Sequence, residues 1–215
     1  MKKSIQPLSS RTITRVSLYY QFLIKKTDKK YISSKELADY LGITPAIVRK
    51  DLALFGQFGT PRVGYNIKNL CDALEHVLGL KKEWNVVIIG CGNLGSALMK
   101  YPGFKQHRFN IIAGFDVSEK IIGTKINNIE IYHINQLKEF AKNNKIDIAV
   151  VAVPENVAKQ TIEYAINCGI KGILNFTPVV VTSQNSNVKI LKIDLTIEFL
   201  KLAFIISKLY DHPKK

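Results

Sequence analysis

Residues 86–95 read VVIIGCGNLG, four β-branched residues running straight into a glycine-rich turn. Ser96, Ala97, Leu98 and Met99 follow, so the pattern predicts strand, tight turn and helix in that order. Gly90 suits the turn, Gly92 has no Cβ to hinder a group approaching the backbone, and Gly95 lets the helix pack closely on the strand. The N-terminus of that helix offers N–H groups to an anion, and Asn93 and Leu94 of the turn are counted with the glycines as candidate binding residues. Twenty-one residues beyond Gly95, a second apolar run, Ile111 to Phe115, ends in Asp116. An acid at that distance is placed to accept hydrogen bonds from a ribose, and the combination points to a dinucleotide site. A carboxylate repels a 2′-phosphate, and Val117, Ser118 and Glu119 supply no arginine to offset it, so NAD(H) is expected over NADP(H).

Downstream, the sequence must complete a sheet. Gly123-Thr124 and Asn127-Asn128 read as turns, Ile129 to Tyr132 as a strand, Gln136 to Ala141 as the core of a helix, and Ile146 to Val153 as a buried strand. Glu155 to Asn167 reads as a helix, with strands at Gly172 to Phe176 and Val188 to Ile193. Strands alternating with helices predict a Rossmann-like α/β fold with a doubly wound parallel sheet. Ligands in such sheets lie beyond the carboxyl ends of the strands. Val153, Pro154, Asn175 and Phe176 are therefore expected at the mouth of the same crevice, with Tyr101 within reach.

Upstream, Ile13, Val16, Tyr20, Leu23 and Ile24 keep helical spacing. Ser34 is placed to cap a short helix that Gly42 stops, and Thr44-Pro45 opens a second helix, Ala46 to Phe55. Two short helices around a glycine-containing turn predict a helix-turn-helix. On the second helix Val48, Leu52 and Phe55 share the face expected to be buried, while Ala46, Arg49, Lys50 and Ala53 share the other. Small residues beside two cations suit entry into a major groove. Thr44, Pro45 and Ala46 would sit at its edge, Arg49 would meet phosphate or guanine, and Lys50 phosphate. Residues 56–65, rich in turn formers, read as a wing that carries Arg62, Gly64 and Tyr65 toward DNA. Asn66 is placed to cap a helix from Ile67 to Leu78.

Of the formal charge of +14, residues 1–83 carry +8 and residues 84–215 carry +6, so the shorter segment is the denser in charge. With no run of about eighteen apolar residues, a membrane span is not expected. Met1 to Pro7 shows no apolar signal segment. Three unclustered cysteines, Cys71, Cys91 and Cys168, suggest a cytoplasmic setting and no metal site. His107 and His133 lie in polar connections, His76 on the helix before the linker and His212 in the tail, and each reads as a surface residue rather than a catalyst. Hydride transfer to a substrate needs a second binding surface and a positioned acid or base, and no catalytic residue is assigned.

SSKELADYLGITPAIVRKDLALFGQFG, VGYNI, GCGNLGSAL, YPGF, AGFDV and GIKGILNFTP occur in this order along nearly the whole chain. Together they resemble the Rex family of redox-sensing transcriptional repressors. Two positions depart from the pattern: Arg62 stands where the family's wing usually has glycine, and Ile47 where a polar residue is common. The resemblance implies a winged-helix domain at residues 1–80, an NAD(H)-binding domain at 81–194 and a C-terminal dimerisation helix with its tail at 195–215. It also implies double-stranded DNA with an inverted repeat as partner, homodimerisation, Phe176 near the nicotinamide, and a polar interdomain switch at Arg15, Tyr101 and Asp194. The run LTIEFLKLAFIISKLY from Leu195 is apolar around most of a helix, so it needs burial on more than one side. The resemblance implies that this helix is swapped between subunits. A small NAD-dependent oxidoreductase and a coenzyme A-binding Rossmann module are the alternatives.

Overall fold

The computed structural model describes residues 8–26 and 28–211. Met1 to Pro7, Thr27 and the tail from His212 lie outside the described residues, so the readings of the amino-terminal stretch and of His212 fall there too. The chain divides into two compact units, Met1–Lys82 and Glu83–Lys215.

In the first unit α1 (Ser10–Leu23) starts where the Ser9 hydroxyl accepts the Thr12 N–H at 3.2 Å. Its buried face is Val16, Tyr19, Tyr20 and Leu23, whereas Ile13 and Ile24 are exposed. The buried stripe is thus turned toward Tyr19, whose ring can be fully enclosed because its hydroxyl finds a partner in Asp51 at 3.0 Å. After β1 (Tyr31–Ile32), α2 (Ser34–Leu41) is capped by Ser33 rather than Ser34. Only Ser33 has a glutamate three residues on, and the pair closes reciprocally: Ser33 Oγ accepts the Glu36 N–H at 3.1 Å, and Glu36 accepts the Ser33 N–H at 2.9 Å. Gly42, at φ 64, ends the helix.

The next helix, α3 (Pro45–Ala53), follows Thr44, which makes no side-chain cap bond. It stops short of Phe55, which is only partly buried; Val48, Asp51 and Leu52 form the inner face. Strands β2 (Gly59–Thr60) and β3 (Gly64–Asn66) form the wing hairpin, and β3 also pairs with β1, giving a small antiparallel sheet in the order β1-β3-β2. Asn66 accepts the Asn69 N–H at 3.1 Å and opens α4 (Ile67–Val77), which buries Ile67, Leu70 and Leu74. A winged helix-turn-helix results.

The second unit has a seven-stranded sheet in the order β10-β9-β8-β4-β5-β7-β6, built from β4 (Trp84–Ile89), β5 (Phe109–Asp116), β6 (Lys125–Ile126), β7 (Ile129–His133), β8 (Ile148–Val151), β9 (Gly172–Asn175) and β10 (Lys189–Lys192). All pairings are parallel except β6 with β7, a hairpin whose turn residues Asn127 and Asn128 both adopt positive φ. Helices α5 (Asn93–Lys100), α6 (Gly103–Gln106), α7 (Leu137–Asn143) and α8 (Glu155–Asn167) connect the strands. Alternate residues of β4 feed opposite layers: Val87 and Ile89 pack with Leu137, Ile162 and Ala165 of α7 and α8, while Val86 and Ile88 pack with Met99 of α5. From the central β4 the chain winds outward through β5 and β7, then returns to the other side through β8, β9 and β10. That reversal leaves a crevice at the carboxyl ends of β4 and β8.

The last helix, α9 (Leu195–Asp211), leaves Phe199, Leu200, Leu202, Phe204, Ile205 and Ile206 exposed, so within a single chain it does not bury itself on its own sheet. None of the described helices is long and apolar enough to cross a membrane.

The salt bridge from Lys29 at 2.7 Å, helped by Ser33, holds the Glu36 carboxyl down at about 2 from its ordinary 4.5. A depressed carboxyl stabilises the fold fully above about 4.5 and loses that contribution as pH falls toward 2. Glu36→Gln should therefore lower stability at neutral pH and flatten the acid loss in this window. Thermal unfolding followed by circular dichroism between pH 2 and 6 checks it; parallel curves for the two proteins would contradict it.

Candidate functional site

The glycine turn is set by close backbone approaches. Gly90 sits at φ 92, and a Cβ there would strike the Ala152 carbonyl. At Gly95 a Cβ would collide with the Gly90 carbonyl oxygen, so α5 can lie this close to the end of β4 only with glycine. Gly92 is different: a Cβ there meets nothing within 4 Å. The space it faces is open. Gly92 is the N-cap of α5, and no side chain caps the helix there, so the first amides at Asn93 and Leu94 are free of side-chain caps.

Asp116 ends β5 and ties the turn down. Its Oδ2 accepts the Cys91 N–H at 2.7 Å, and its Oδ1 accepts the Val117 and Ser118 N–H groups at 2.8 and 2.9 Å. With roughly four acceptor directions on a carboxylate, about one remains for a ligand hydroxyl. Cys91 itself is enclosed, its Sγ against the carbonyls of Ile88 and Phe115; burial, with Asp116 nearby, pushes the thiol up to about 12. It is a packing residue, not a nucleophile.

These groups open onto a cleft of about 720 Å³. Gly90, Gly92, Asp116, Val153 and Pro154, all singled out in the sequence, line it. Asn93, Leu94, Gly95, Asn175, Phe176 and Tyr101 do not. Asn175 is fully buried and spends its side chain on its own loop, donating to the Val179 carbonyl at 2.8 Å and accepting from the Thr177 N–H and hydroxyl at 2.9 and 2.7 Å. It shapes the loop that carries Phe176, which packs with the layer of Val86 and Ile88. Tyr101 is exposed, its ring edge-on to Phe104 at 5.1 Å. The wall that the sequence reading missed is one face of α8: Val157, Gln160, Thr161 and Tyr164, at i, i+3, i+4 and i+7. That spacing is visible in the sequence; which face of the helix meets the crevice is not.

On the winged helix, Ala46, Ile47, Arg49, Lys50 and Ala53 are exposed along α3. Arg49 Nη1 donates to Ser34 Oγ at 3.1 Å, which holds the guanidinium beside the start of α2. Pro61 and Arg62 are the central residues of the wing turn, closed by Val63 N–H to the Thr60 carbonyl at 3.1 Å. Arg62 sits at φ 65, a conformation that favours glycine. Gly64, at φ 102, lies so close to the Ile32 carbonyl that no Cβ fits. Tyr65, expected on the DNA side of the wing, is only 9 % exposed; its ring covers Gly59 and braces the wing from beneath. Ser33, Ser34, Arg49 and the wing enclose a second cleft of about 440 Å³.

The switch residues have local partners. Arg15 forks onto Asp51, and Asp194 pairs with Lys192 at 3.1 Å while accepting the Thr196 N–H at 3.0 Å. The Lys192 ammonium, and the Thr196 amide after it, hold the Asp194 carboxyl below its usual range. His133 Nδ1 accepts the Asn135 N–H at 3.1 Å, a structural cap. Among the described residues no cluster of His, Cys, Asp or Glu could hold a metal ion.

A winged helix and a dinucleotide-type sheet in one chain define a class: a DNA-binding regulator with a nucleotide-responsive unit. The redox-sensing transcriptional repressor Rex of Thermosipho africanus is 40 % identical over 198 residues, 91 % of this chain and 94 % of its own length. That of Carboxydothermus hydrogenoformans is 41 % identical over 199 residues, covering 92 % of this chain and 95 % of its own. The chain belongs to the Rex family of redox-sensing transcriptional repressors. A family model described as a putative DNA-binding protein N-terminus matches residues 7–53, and one described as a CoA binding domain matches residues 81–179. The crystal structure of RSP in complex with beta-NAD+ and operator DNA superposes with a TM-score of 0.87 at 32 % identity, covering 97 % of this chain and all of that one. The RSP complex with beta-NADH gives 0.86 at the same identity and coverage. Membership in a family of repressors sets aside the oxidoreductase and coenzyme A readings, although the sheet itself matches a model named for the latter.

Gly92→Ala and Gly95→Ala should separate cleft from scaffold. The first points a methyl into open space, so the melting temperature should hold while NADH affinity falls at least tenfold; the second drives a methyl into a backbone carbonyl and should lower the melting temperature markedly. Calorimetric unfolding with NADH titration checks both, and a Gly92→Ala protein that binds NADH normally would contradict the reading of that space.

Proposed function

We propose that this chain is a homodimeric repressor that binds inverted-repeat operator DNA and is released when NADH fills the cleft of its second unit, so reporting the NADH/NAD+ ratio. The observation that carries this is the open space at Gly92, facing an uncapped helix N-terminus with Asp116 at its rim, in a chain that also carries a basic winged helix. The RSP complexes with beta-NAD+ and operator DNA and with beta-NADH support the same pair of ligands here.

Gly90, Gly92, Asn93, Leu94 and Gly95 take the pyrophosphate on backbone amides, and Asp116 takes a ribose hydroxyl. Val153 and Pro154 flank the sugar, and the Asn175-braced loop with Phe176 and Tyr101 serves the nicotinamide end. The bound nucleotide supplies the redox signal, since its oxidised ring is cationic and its reduced ring neutral. Apolar surroundings at Phe176 disfavour the cation, so NADH binds more tightly than NAD+. Thr44 before α3 and Pro45, Ala46, Arg49 and Lys50 on it face the major groove, and Arg62 and Gly64 meet DNA at the wing with Tyr65 as its brace.

The exposed apolar length of α9 is the dimerisation surface, swapped onto a second copy, and a two-fold dimer matches an inverted repeat. Arg15, Tyr101 and Asp194 form the polar switch. Since Arg15 and Asp194 have partners within the single chain, switching exchanges those partners. Cys71, Cys91 and Cys168 are free thiols, as suits the reducing cytoplasm where this ratio is set.

Fluorescence anisotropy of a labelled AT-rich inverted-repeat duplex, at fixed salt, tests the proposal, because phosphate contacts make affinity salt-dependent. NADH should release the DNA at far lower concentration than NAD+; DNA that stays bound under both would overturn the regulatory reading. In the same assay Arg62→Gly should bind DNA several-fold more weakly, yet melt at higher temperature because it removes about 1 kcal/mol of left-handed backbone cost. A variant equal to wild type in DNA affinity would remove Arg62 from the interface.

A further inference from the structure

One buried charge has no part in the nucleotide cleft or in the outward face of the recognition helix. Asp51 is 3 % exposed on the inner side of α3. Arg15 of α1 meets it through two parallel bonds, Nε to Oδ2 at 2.6 Å and Nη2 to Oδ1 at 2.7 Å. The Tyr19 hydroxyl donates to Oδ2 at 3.0 Å from a ring that is fully buried. Hydrogen bonding to Asp51 raises the Arg15 guanidinium, and burial, with Asp51 after it, raises the Tyr19 hydroxyl, so the carboxylate faces one fixed cation and one fixed neutral donor. Arg15 is itself held by Thr12 Oγ1 at 3.4 Å, so Thr12, Arg15 and Tyr19 lie along one side of α1.

Such a pair is a poor way to gain stability. Desolvating two charges offsets most of their attraction, and an apolar pair of similar volume often does as well or better. What a planar fork adds is geometry. Apolar burial of Val48 and Leu52 would tolerate a small roll or slide of α3 over the α1 and α2 it contacts, whereas two parallel bonds and a third from Tyr19 fix its rotation and its axial position together. Base-edge recognition demands that kind of placement, because a bidentate arginine contact fails when its backbone is displaced by a fraction of an ångström or tilted by 10–20°. Asp51 sits one residue from Lys50 and two from Arg49, so whatever sets Asp51 sets them.

We infer that Asp51 is a positioning residue for operator recognition: held by Arg15 and Tyr19, it fixes the register of α3 and thereby the ability to tell operator from other DNA, without touching DNA itself. The inference rests on α3 being the recognition helix of the proposed repressor.

The experiment compares affinity for the inverted-repeat duplex that the wild-type protein selects from a randomised pool with affinity for a random duplex of equal length, at fixed salt and without nucleotide, alongside melting temperature. Asp51→Asn should reduce the operator-to-random ratio about tenfold while random-duplex affinity stays within about twofold, since bulk phosphate attraction is untouched. Should Asp51→Asn unfold, the charge-neutral pair Arg15→Met with Asp51→Leu restores an apolar contact; it should recover the melting temperature and still lose the ratio. Tyr19→Phe, lacking only the third bond, should fall between. A ratio unchanged in a folded Asp51 variant, or one restored along with stability by the apolar pair, would show Asp51 to be plain scaffolding and overturn the inference. A wild-type protein that selects no sequence would instead contradict the repressor function itself.

Discussion

The second unit depends on one backbone contact: α5 lies so close to the end of β4 that Gly95 and the Gly90 carbonyl share a space no side chain can enter. That contact fixes where the helix begins. It starts α5 at Asn93 with no side-chain cap and leaves the region beside Gly92 open. Asp116 completes the arrangement from the neighbouring strand, spending three hydrogen bonds on the turn and on its own loop. The carboxylate expected to serve as a ribose ligand is thus first a strut, and its loss would loosen the cradle as well as the ligand. Cys91, buried between the glycines, fills the volume beneath the turn, beside Gly114.

In the first unit the equivalent constraint is polar. The wing is held by a glycine pressed on the Ile32 carbonyl and by the Tyr65 ring beneath it, while α3 is held by Asp51. Cations face outward from α3 and the wing, and inward-facing contacts decide where those cations sit. Arg62 at φ 65 places a charged side chain, at a backbone cost, at the tip of an exposed turn.

Much of this was legible in the chain. VVIIGCGNLG followed by an acid twenty-one residues on specifies strand, turn, helix and second strand in that order, because each step imposes a steric or periodic requirement that few sequences meet, although the helix opens at Asn93 inside the glycine turn rather than at Ser96. Glu155 to Asn167 was legible as a helix for the same reason. The side chains whose roles come from tertiary geometry were harder to read. Asn175 looked like a ligand group and is a loop brace; Tyr65 looked like a surface contact and is core; Ser34 looked like a cap, and the capping box chose Ser33. Asp51 was not singled out, since an aspartate in a basic helix reads as solvated until Arg15, thirty-six positions away, is seen to reach it. The α8 wall of the cleft was hidden likewise, because periodicity defines a helix face without naming what it meets.

The unburied apolar side of α9 and the two ligand classes carried by one chain join these local constraints into a single reading, in which nucleotide occupancy and DNA occupancy oppose each other. Opposition of that kind is reciprocal: if NADH weakens operator binding by some factor, operator must weaken NADH binding by the same factor. The direct measurement is the NADH dissociation constant by calorimetry, with and without saturating operator duplex at one salt concentration. Coupling requires NADH to bind more weakly to the DNA-loaded protein, by the factor seen in the reverse titration. Equal NADH affinity in the two states would mean that the cleft and the winged helix act independently, and the redox-controlled repressor described here would not stand.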